Sequence, residues 1–440
     1  MSILHRQSGR LPRPATVAAL ASAVAILTGL SLSGCGACSA APAVARQAQL
    51  PPPASAFRGK ARAILARLSL EEKCGQLLLL GVQGQGNPSA EARALVQDLG
   101  PGGILLFGFN IGEDVTELGL LTGGLQDAAA ASGAGLPLIV AIDHEGGSVF
   151  RFKSGVTRLP SAATVGSRGP DYARLLGERA GLELSALGIN LALAPVVEAR
   201  SSANGSFMGE RSYGSDPALV DEVAGAFIEG LGASGVAATA KHFPGNADVD
   251  PHRGLPVLEV DKARLERDYV ERFRKAIDHG AAVVLLSHVL VPSVDPGRPA
   301  TISPLLDKAM LKDRLRFDGV VLTDDLFMKA LSADLPPERS AVLAVKAGAD
   351  LLMLSAGHAG HRVRDALMAA VRSGDLPESR LDDAVLRVIE LKLRFSMDSA
   401  FDREARARRL ASLPAIVAQS ATALDAQPVV PASARKGKGK

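Results

Sequence analysis

Residues 170–196 read PDYARLLGERAGLELSALGINLALAPV and contain the unit from which the fold can be inferred. In residues 170–188 charged and apolar side chains recur at intervals of three and four, the spacing of an amphipathic helix, and Gly188 is a good stop signal. The mostly aliphatic run 189–196 follows without alternation of polar and apolar residues, which predicts a strand buried on both faces. These residues therefore predict one helix followed by one strand of a parallel sheet.

The same alternation of apolar runs and helical patterns recurs from residue 68 onward, so the unit predicts a repeated architecture. The other apolar runs are QLLLLGV (76–82), GGILLFG (102–108), PLIVAID (137–143), VAATAKHF (236–243), AAVVLLSH (281–288), GVVLTDD (319–325) and DLLML (350–354). Helical patterns lie between them, for example at 261–280, and two more, at about 360–373 and 380–396, would complete the domain. Eight such strands with intervening helices predict an α/β fold, a (β/α)8 TIM barrel in a single catalytic domain.

A doubly wound open sheet is the alternative architecture. It would be favoured by a G-x-G-x-x-G turn after the first strand, but GVQGQGNPS at 81–89 contains GQG without the third glycine.

The composition argues against nucleic-acid binding. The chain has 49 Lys and Arg against 46 Asp and Glu, so it has no general basic surface for nucleic acid. A chain of 440 residues with 47% hydrophobic content is long enough for one large domain or two ordinary ones.

The N-terminus has the pattern of an export signal. Arg6, Arg10 and Arg13 precede the apolar, small-residue stretch 17–33, which is short for a membrane span. LSGC, ending at Cys35, resembles a bacterial lipobox, which predicts lipidation of Cys35 and anchoring at the periplasmic or cell-surface side of a membrane. A plain signal peptide cut near Ala40, or an uncleaved anchor, is the alternative. The predicted segments are a lipoprotein signal peptide at 1–34, an Ala/Pro-rich tether at 35–58, the barrel domain at 59–400, and a C-terminal helix with a basic disordered tail at 401–440.

Titratable side chains collect where the predicted strands end, which is where TIM barrels carry their chemistry. These side chains are Asp143, Glu145, Arg151, Glu198, Arg211, Lys241, His242, Asp250, His252, Asp324 and Asp325. The spacing of Asp250 and His252 lets the carboxylate orient the imidazole for proton transfer, with Asp248 as an alternative partner. A rigidly held carboxylate beside cations is fit to be a nucleophile, and Asp324 is the candidate, while we expect Asp325 to cap the next helix.

The ordered motifs resemble glycoside hydrolase family 3, and within it the β-N-acetylglucosaminidases of bacterial cell-wall turnover. The resemblance extends from about residue 68 to about 395. Its landmarks are LSLEEKCGQLL, GGILLFGFNI, AIDHEGGSVFR, LAPVVE, GERSYGSDP, KHFPG with DPHRGLP, SHVLVPSVDPGRPATIS, RFDGVVLTDDLFM and KAGADLLML. The loop KHFPGNADVDPH departs from the family's usual form, because Asn246-Ala247 replaces a His-Gly pair and Pro251 replaces a serine.

The resemblance implies a retaining hydrolase with its site residues in defined roles. Asp324 would attack the anomeric carbon, and His252, held by Asp250, would serve as acid and base. Five further residues would bind the sugar in the first subsite, namely Asp143, Arg151, Arg211, Lys241 and His242. The predicted function is an exo-acting β-N-acetylglucosaminidase that releases terminal GlcNAc from peptidoglycan fragments or related β-linked amino sugars, with no metal or other cofactor. The alternatives are a phosphorylase or β-glucosidase on the same fold, and a carbohydrate-binding lipoprotein without catalysis.

The chain contains no tryptophan, so any stacking on a sugar must use phenylalanine or tyrosine. The candidates for stacking are Phe109, Phe207, Tyr213 and Phe243.

Three cysteines, of which one is the predicted lipidation site, do not imply a disulfide framework. Cys74, in a helix-start pattern, is expected to be a small buried apolar residue.

Overall fold

The computed structural model describes residues 51–427. The predicted signal peptide at 1–34, Cys35 and Cys38, most of the predicted tether, and the basic end from 428 onward lie outside these residues. Described helical structure begins at Ala54, in a short 3₁₀ helix that leads into the first α-helix at Arg58.

Eight parallel strands form the core of the molecule, and each pairs with its neighbours in chain order. The strands are β1 Leu78–Gly81, β2 Gly103–Leu106, β3 Ile139–Ile142, β4 Leu191–Ala192, β5 Ala237–Phe243, β6 Val283–Leu286, β7 Val320–Thr323 and β8 Leu352–Leu354. β8 pairs with β1. Thr323 N, at the end of β7, donates to Leu351 O, just before β8, at 3.0 Å, so that β7 and β8 also meet and the barrel closes. The predicted TIM barrel is confirmed, and the doubly wound alternative is wrong because its strands would not follow one another around a closed barrel.

Both faces of the barrel strands are buried, which explains why the apolar runs show no alternation. Leu78 and Leu80 of β1 face the layer of helices, whereas Leu79 between them faces the interior of the barrel. In β2, Ile104 and Leu105 divide in the same way between the two layers. Burial of a leucine or isoleucine side chain contributes about 1.5–3 kcal/mol, so the two layers together account for the hydrophobic stabilisation of the sheet.

Helices surround the barrel and connect its strands. The α-helices are α1 Arg58–Leu65, α2 Leu70–Gln76, α3 Ala90–Leu99, α4 Thr116–Ala130, α5 Ala162–Arg168, α6 Pro170–Ala186, α7 Gly205–Met208, α8 Pro217–Ala233, α9 Lys262–Arg264, α10 Glu271–Asp278, α11 Lys329–Ser332, α12 Pro337–Ala347, α13 Gly360–Arg372, α14 Glu378–Arg394 and α15 Arg403–Asp425. Two segments are π-helical, Leu265–Val270 and Leu305–Arg314. The start of α2 shows how sequence sets a boundary, because Ser69 and Glu72 form a reciprocal capping box.

Short antiparallel ribbons lie at the ends of the barrel strands and carry part of the rim. They pair Gly84–Gln85 with Asn87–Pro88, His144–Gly146 with Val149–Phe150, and Leu290–Val291 with Asp295–Pro299.

Cys74 is fully buried, as expected, and burial raises the pKa of its thiol to about 12. Between residues 51 and 427, none of the helices combines the length and apolar character needed to cross a bilayer.

Candidate active site

A cavity of about 240 Å³ opens where the barrel strands end, and its floor is the apolar interior of the barrel. Leu105, Leu193, Leu285 and Met353 form this floor, and all four belong to the inner core. Polar and charged side chains form the walls: Asp143, Glu145, Arg151, Arg211, Lys241, His242, Asn246, His252, Asp324 and Asp325. Eight residues were predicted to act in catalysis or to bind the sugar, and the structure brings seven of them to this cavity. The eighth, Asp250, contacts His252 at the edge of the cavity.

Alternating charges form a chain along one wall of the cavity. Asp143 accepts hydrogen bonds from Arg151 Nη2 at 2.8 Å and from Lys241 Nζ at 2.9 Å. Lys241 also contacts Glu145 at 2.7 Å, and Glu145 accepts two bonds from Arg211, both at 2.8 Å. Each buried charge thus has an opposite charge within hydrogen-bonding distance, which is the condition under which buried ions are tolerated.

These contacts keep both carboxyl groups of the wall ionised. Burial alone would raise the pKa of Glu145, but the charges of Lys241 and Arg211 outweigh burial and lower that pKa to about 2. Burial also opposes ionisation of Asp143, yet Lys241 and Arg151 hold its pKa well below the usual range. The two carboxylates in turn raise the pKa of Lys241 above its ordinary value, against the effect of burial. The wall therefore offers fixed charges and fixed hydrogen-bond donors to a ligand.

His242 is held in one orientation by Glu198, which lies behind the cavity. His242 Nδ1 is 3.1 Å from Glu198 Oε1, and Glu198 also accepts bonds from Asn246 N at 2.7 Å and Asn246 Nδ2 at 3.0 Å. Because the carboxylate accepts the Nδ1–H, the Nε2 lone pair of His242 points towards Arg211 Nη2 at 3.5 Å. His242 therefore lies between an acid that orients it and a cation that lines the cavity.

Lys241 and His242 are consecutive residues, yet both line the cavity. In a regular strand successive side chains point to opposite faces, so one of them would be expected to point away. The pairing of β5 with β6 shifts register here, because Leu285 pairs with Lys241 and Leu286 pairs with Phe243. Such a bulge redirects side chains and is frequent next to active sites.

Asp324 and Asp325 follow β7 and also line the cavity, but their surroundings differ. Asp325 Oδ1 accepts bonds from Phe327 N at 3.2 Å and Ser355 N at 3.0 Å, which ties the end of β7 to the end of β8. The expectation that Asp325 caps the next helix is wrong, because Met328 is the N-cap of α11. Asp324 Oδ1 accepts only a bond from the backbone N–H of Asp325, at 2.9 Å, among the contacts described in residues 51–427. Its other carboxylate oxygen is therefore available to a ligand.

His252 lies on the loop after β5 and is the most exposed member of the site, with 72% of its side chain accessible. Its Nδ1 is 2.9 Å from Asp250 Oδ1, and its backbone N–H donates to the same oxygen at 2.9 Å. Asp248, the alternative partner, instead accepts a bond from Ser206 N at 3.1 Å. Burial opposes ionisation of Asp250, but its hydrogen bonds from His252 lower the pKa, so the carboxylate stays charged beside the imidazole.

The aromatic residues of the cavity differ in part from those expected. Phe207 lines the cavity and lies 5.5 Å from the guanidinium of Arg211. Phe243 and Tyr213 cannot stack on a sugar, because they are 0% and 5% exposed. Phe107 lines the cavity although the sequence did not single it out, since its position at the end of an apolar run is typical of a buried core residue.

Two acids of the site, Glu145 and Glu198, lie at predicted strand ends but were not assigned a role from sequence. The signal that could have found them is their pairing with cations and imidazoles on distant strands, which only the fold reveals.

Among the residues described, 51–427, no group of three or more His, Cys, Asp or Glu side chains could hold a metal ion.

Known proteins resemble the chain along most of its length. A family model described as the glycosyl hydrolase family 3 N terminal domain matches residues 69–391. Beta-hexosaminidase LpqI of Mycobacterium tuberculosis is 34% identical over 394 residues, which cover 86% of this chain and 97% of that protein.

Solved structures resemble the fold as well. A glycoside hydrolase family 3 beta-N-acetylglucosaminidase from Paenibacillus sp. str. FPU-7 superposes with a TM-score of 0.72 at 38% identity, covering 75% of this chain and 63% of that one. The structure of M. tuberculosis LpqI gives a TM-score of 0.69 at 32% identity, covering 76% of this chain and 96% of that one. The chain thus spans less than two thirds of the Paenibacillus protein and nearly all of the mycobacterial one.

Proposed function

Since the chain belongs to glycosyl hydrolase family 3 and is a glycoside hydrolase, we propose that it is an exo-acting, retaining β-N-acetylglucosaminidase. Its substrates would be peptidoglycan fragments or related β-linked amino sugars, from which it releases the terminal GlcNAc. The relatives named beta-hexosaminidase and beta-N-acetylglucosaminidase support GlcNAc as the released sugar.

The observation that carries the proposal is a carboxylate and a carboxylate-supported imidazole in the walls of one cavity. Asp324 and His252 both line it, and His252 Nδ1 is bonded to Asp250 at 2.9 Å. A retaining hydrolase needs a nucleophile on one face of the sugar ring and a proton donor on the other. A cavity of about 240 Å³ lies below the range of about 300–1,000 Å³ typical of ligand sites, which favours a single terminal sugar and therefore exo action.

With these residues the proposed reaction would proceed in two steps. In the first, an oxygen of Asp324 forms a bond to the anomeric carbon while the glycosidic C–O bond breaks, and the Nε2 proton of His252 moves to the departing oxygen. In the second, Nε2 takes a proton from water, the water oxygen bonds to the anomeric carbon, and the ester to Asp324 breaks. Two displacements at one carbon return it to its original configuration.

The charged wall has a separate task in this scheme. Asp143, Glu145, Arg151, Arg211 and Lys241 hold one another in fixed geometry. Fixed donors and acceptors bind the hydroxyl groups of the first sugar without reorganising, so that the anomeric carbon is presented to Asp324.

The substrate class is tested with 4-nitrophenyl β-GlcNAc and the matched 4-nitrophenyl β-glucoside. We expect release of 4-nitrophenol from the first at a kcat/KM at least tenfold above the second. Faster cleavage of the glucoside would instead assign the chain to the β-glucosidases. Formation of GlcNAc-1-phosphate upon addition of phosphate would identify a phosphorylase, and cleavage of neither glycoside would favour a carbohydrate-binding role.

The proton-donor role of His252 is tested by changing the leaving group. His252→Ala should lower kcat/KM by about 10²–10⁴-fold for a sugar leaving group, which needs protonation, and far less for 4-nitrophenolate, which leaves without it. An equal loss for both leaving groups would remove His252 from this role.

We also propose that the chain is exported and anchored by lipid at Cys35. The basic start, the apolar stretch 17–33 and the sequence LSGC support this, and Cys35 itself lies outside the described residues. Full-length protein should enter the detergent phase in a Triton X-114 partition, and Cys35→Ser should stay in the aqueous phase. Wild-type protein in the aqueous phase would contradict the anchor.

A further inference from the structure

A half-exposed aromatic ring near the cavity has no role in the proposed reaction. Phe109 is 48% exposed, and among residues 51–427 it is the one aromatic member of the set of exposed large apolar side chains. Exposing a phenylalanine forgoes part of the roughly 1.5–3 kcal/mol that its burial would contribute. An exposed aromatic ring beside a binding cavity is therefore a candidate for contact with a ligand.

Phe109 continues the cavity wall outward. It stacks on Phe107, which lines the cavity, with ring centroids 5.4 Å apart and an angle of 15° between the ring planes. The backbone of Gly108, between the two, also runs close to Arg151 of the charged wall, since a Cβ at Gly108 would lie 4.0 Å from Arg151 O. The two rings thus form one apolar surface that begins inside the cavity and ends in solvent.

The segment that carries the rings is held rigidly. Asn110 is fully buried, accepts a bond from Phe107 N at 2.9 Å and donates to Val82 O at 3.0 Å. Gln85 Nε2 donates to Phe109 O at 2.7 Å from the neighbouring ribbon. A backbone fixed in this way leaves less conformational freedom to lose when the rings contact a ligand, and such preorganisation favours affinity.

We propose that Phe107 and Phe109 form a stacking surface for the leaving group, and that this group is an uncharged pyranose ring with an exposed C–H face. The inference rests on the proposed function, because an exo enzyme encloses only the terminal sugar. The cavity of about 240 Å³ suits one ring, so the rest of the substrate lies across the rim, where Phe109 is exposed. Aromatic rings gain favourable contacts with apolar faces, whereas they offer nothing to a small polar leaving group.

The experiment compares a sugar leaving group with a small one in the full chain. The substrates are the β-1,4-linked disaccharide of GlcNAc and β-GlcNAc azide, and the measured quantity is the ratio of their kcat/KM values. Phe109→Ala should lower the ratio of disaccharide to azide about 3- to 10-fold, the loss of one aromatic contact. Phe109→Trp keeps an aromatic face and should keep the ratio within twofold of the wild type. Leu120 of α4 is an apolar residue of similar exposure and supplies the matched control: Leu120→Ala should also leave the ratio unchanged.

The outcomes separate the inference from the proposed function. A ratio unchanged by Phe109→Ala, in an enzyme that cleaves both substrates, would overturn the stacking surface and leave the proposed function intact. A ratio lowered equally by Phe109→Trp and Phe109→Ala would also overturn it, because the aromatic face would then not matter. Wild-type protein that cleaves neither substrate would overturn the proposed function, and the inference with it.

Discussion

Glu145 holds two cations of the cavity in place, and replacing it with glutamine perturbs the site without changing its shape. The carboxylate is 3% exposed and contacts Lys241 Nζ at 2.7 Å and two nitrogens of Arg211 at 2.8 Å. Glu145→Gln removes the negative charge and turns an NH₂ group towards one of these N–H donors. Two largely buried cations then share too few acceptors, which is the costly way to break a buried ion pair.

The expected loss of stability follows from the pKa of Glu145. That pKa is lowered from 4.5 to about 2, which corresponds to roughly 3 kcal/mol at neutral pH, since each factor of ten in the protonation equilibrium is worth about 1.36 kcal/mol. Because the pKa is lower in the folded state, this stability is fully present above pH 4.5 and fades as the pH falls towards 2. It should therefore already be smaller at pH 4 than at pH 7.

Urea unfolding at pH 7 and pH 4 measures this loss, with an exposed ion pair as the control. Glu113 contacts Lys153 at 2.8 Å but is 87% exposed, so water screens this pair and Glu113→Gln should leave the free energy of unfolding nearly unchanged. Glu145→Gln should lose about 3 kcal/mol at pH 7 and less at pH 4. A loss at pH 7 no larger than that of Glu113→Gln, or a loss that grows on acidification, would refute this account of the charged wall.

Three further predictions concern a buried lysine of α14 and two acids that contact histidines of the site. Burial lowers the pKa of Lys392 from 10.5 to about 7, so the cost of burying its charge is fully present below pH 7 and is relieved as the pH rises towards 10.5. The wild type should therefore gain about 2 kcal/mol of unfolding free energy between pH 7 and pH 9, and Lys392→Met should abolish this gain. The exposed-site control Lys262→Met should retain the gain, and an undiminished gain in Lys392→Met would contradict the prediction. Glu198→Ala removes the acceptor of hydrogen bonds from His242 and Asn246, so calorimetry or urea unfolding should show that the free energy of unfolding falls by about 3 kcal/mol or more. A fall of less than about 1 kcal/mol would show that these donors find other partners. Asp250→Asn should lower kcat/KM for the GlcNAc disaccharide by about 10-fold or more, because the imidazole of His252, the proposed acid and base, loses its supporting charge. Asp248→Asn in the same loop should stay close to wild type, and equal effects of the two substitutions would count against the Asp250–His252 pair.

The barrel could be predicted from sequence because its signal is repeated eight times. Each apolar run contains one strand, and the unit at 170–196 gives α6 at Pro170–Ala186 and β4 at Leu191–Ala192. The lengths were less accurate, since the run 189–196 holds a ladder of only two residues before Pro195, which has no N–H to donate. The helix predicted at 261–280 contains a π-helical segment at Leu265–Val270, because an i→i+5 turn leaves no clear mark in the three-and-four spacing.

The site could be predicted in its membership but not in its pairing. Position at a strand end suffices to bring Asp143 and Lys241 to one rim, although 98 residues separate them. It does not reveal that Lys241 and His242 share a face, because that depends on a bulge against β6. Nor does it show that Phe243 is enclosed while Phe107 is not, since both end apolar runs and only packing distinguishes them.

The central claim is that Asp324 forms a covalent bond to the sugar, and rescue by an external nucleophile tests it most directly. Asp324→Gly should lose about 10³-fold or more of the activity on 4-nitrophenyl β-GlcNAc. Sodium azide, entering the space left by the carboxylate, should restore release of 4-nitrophenol and yield the α-glycosyl azide, because a single displacement inverts the anomeric carbon. Near-normal activity of Asp324→Gly without azide, or a rescued product with the β configuration, would contradict the claim.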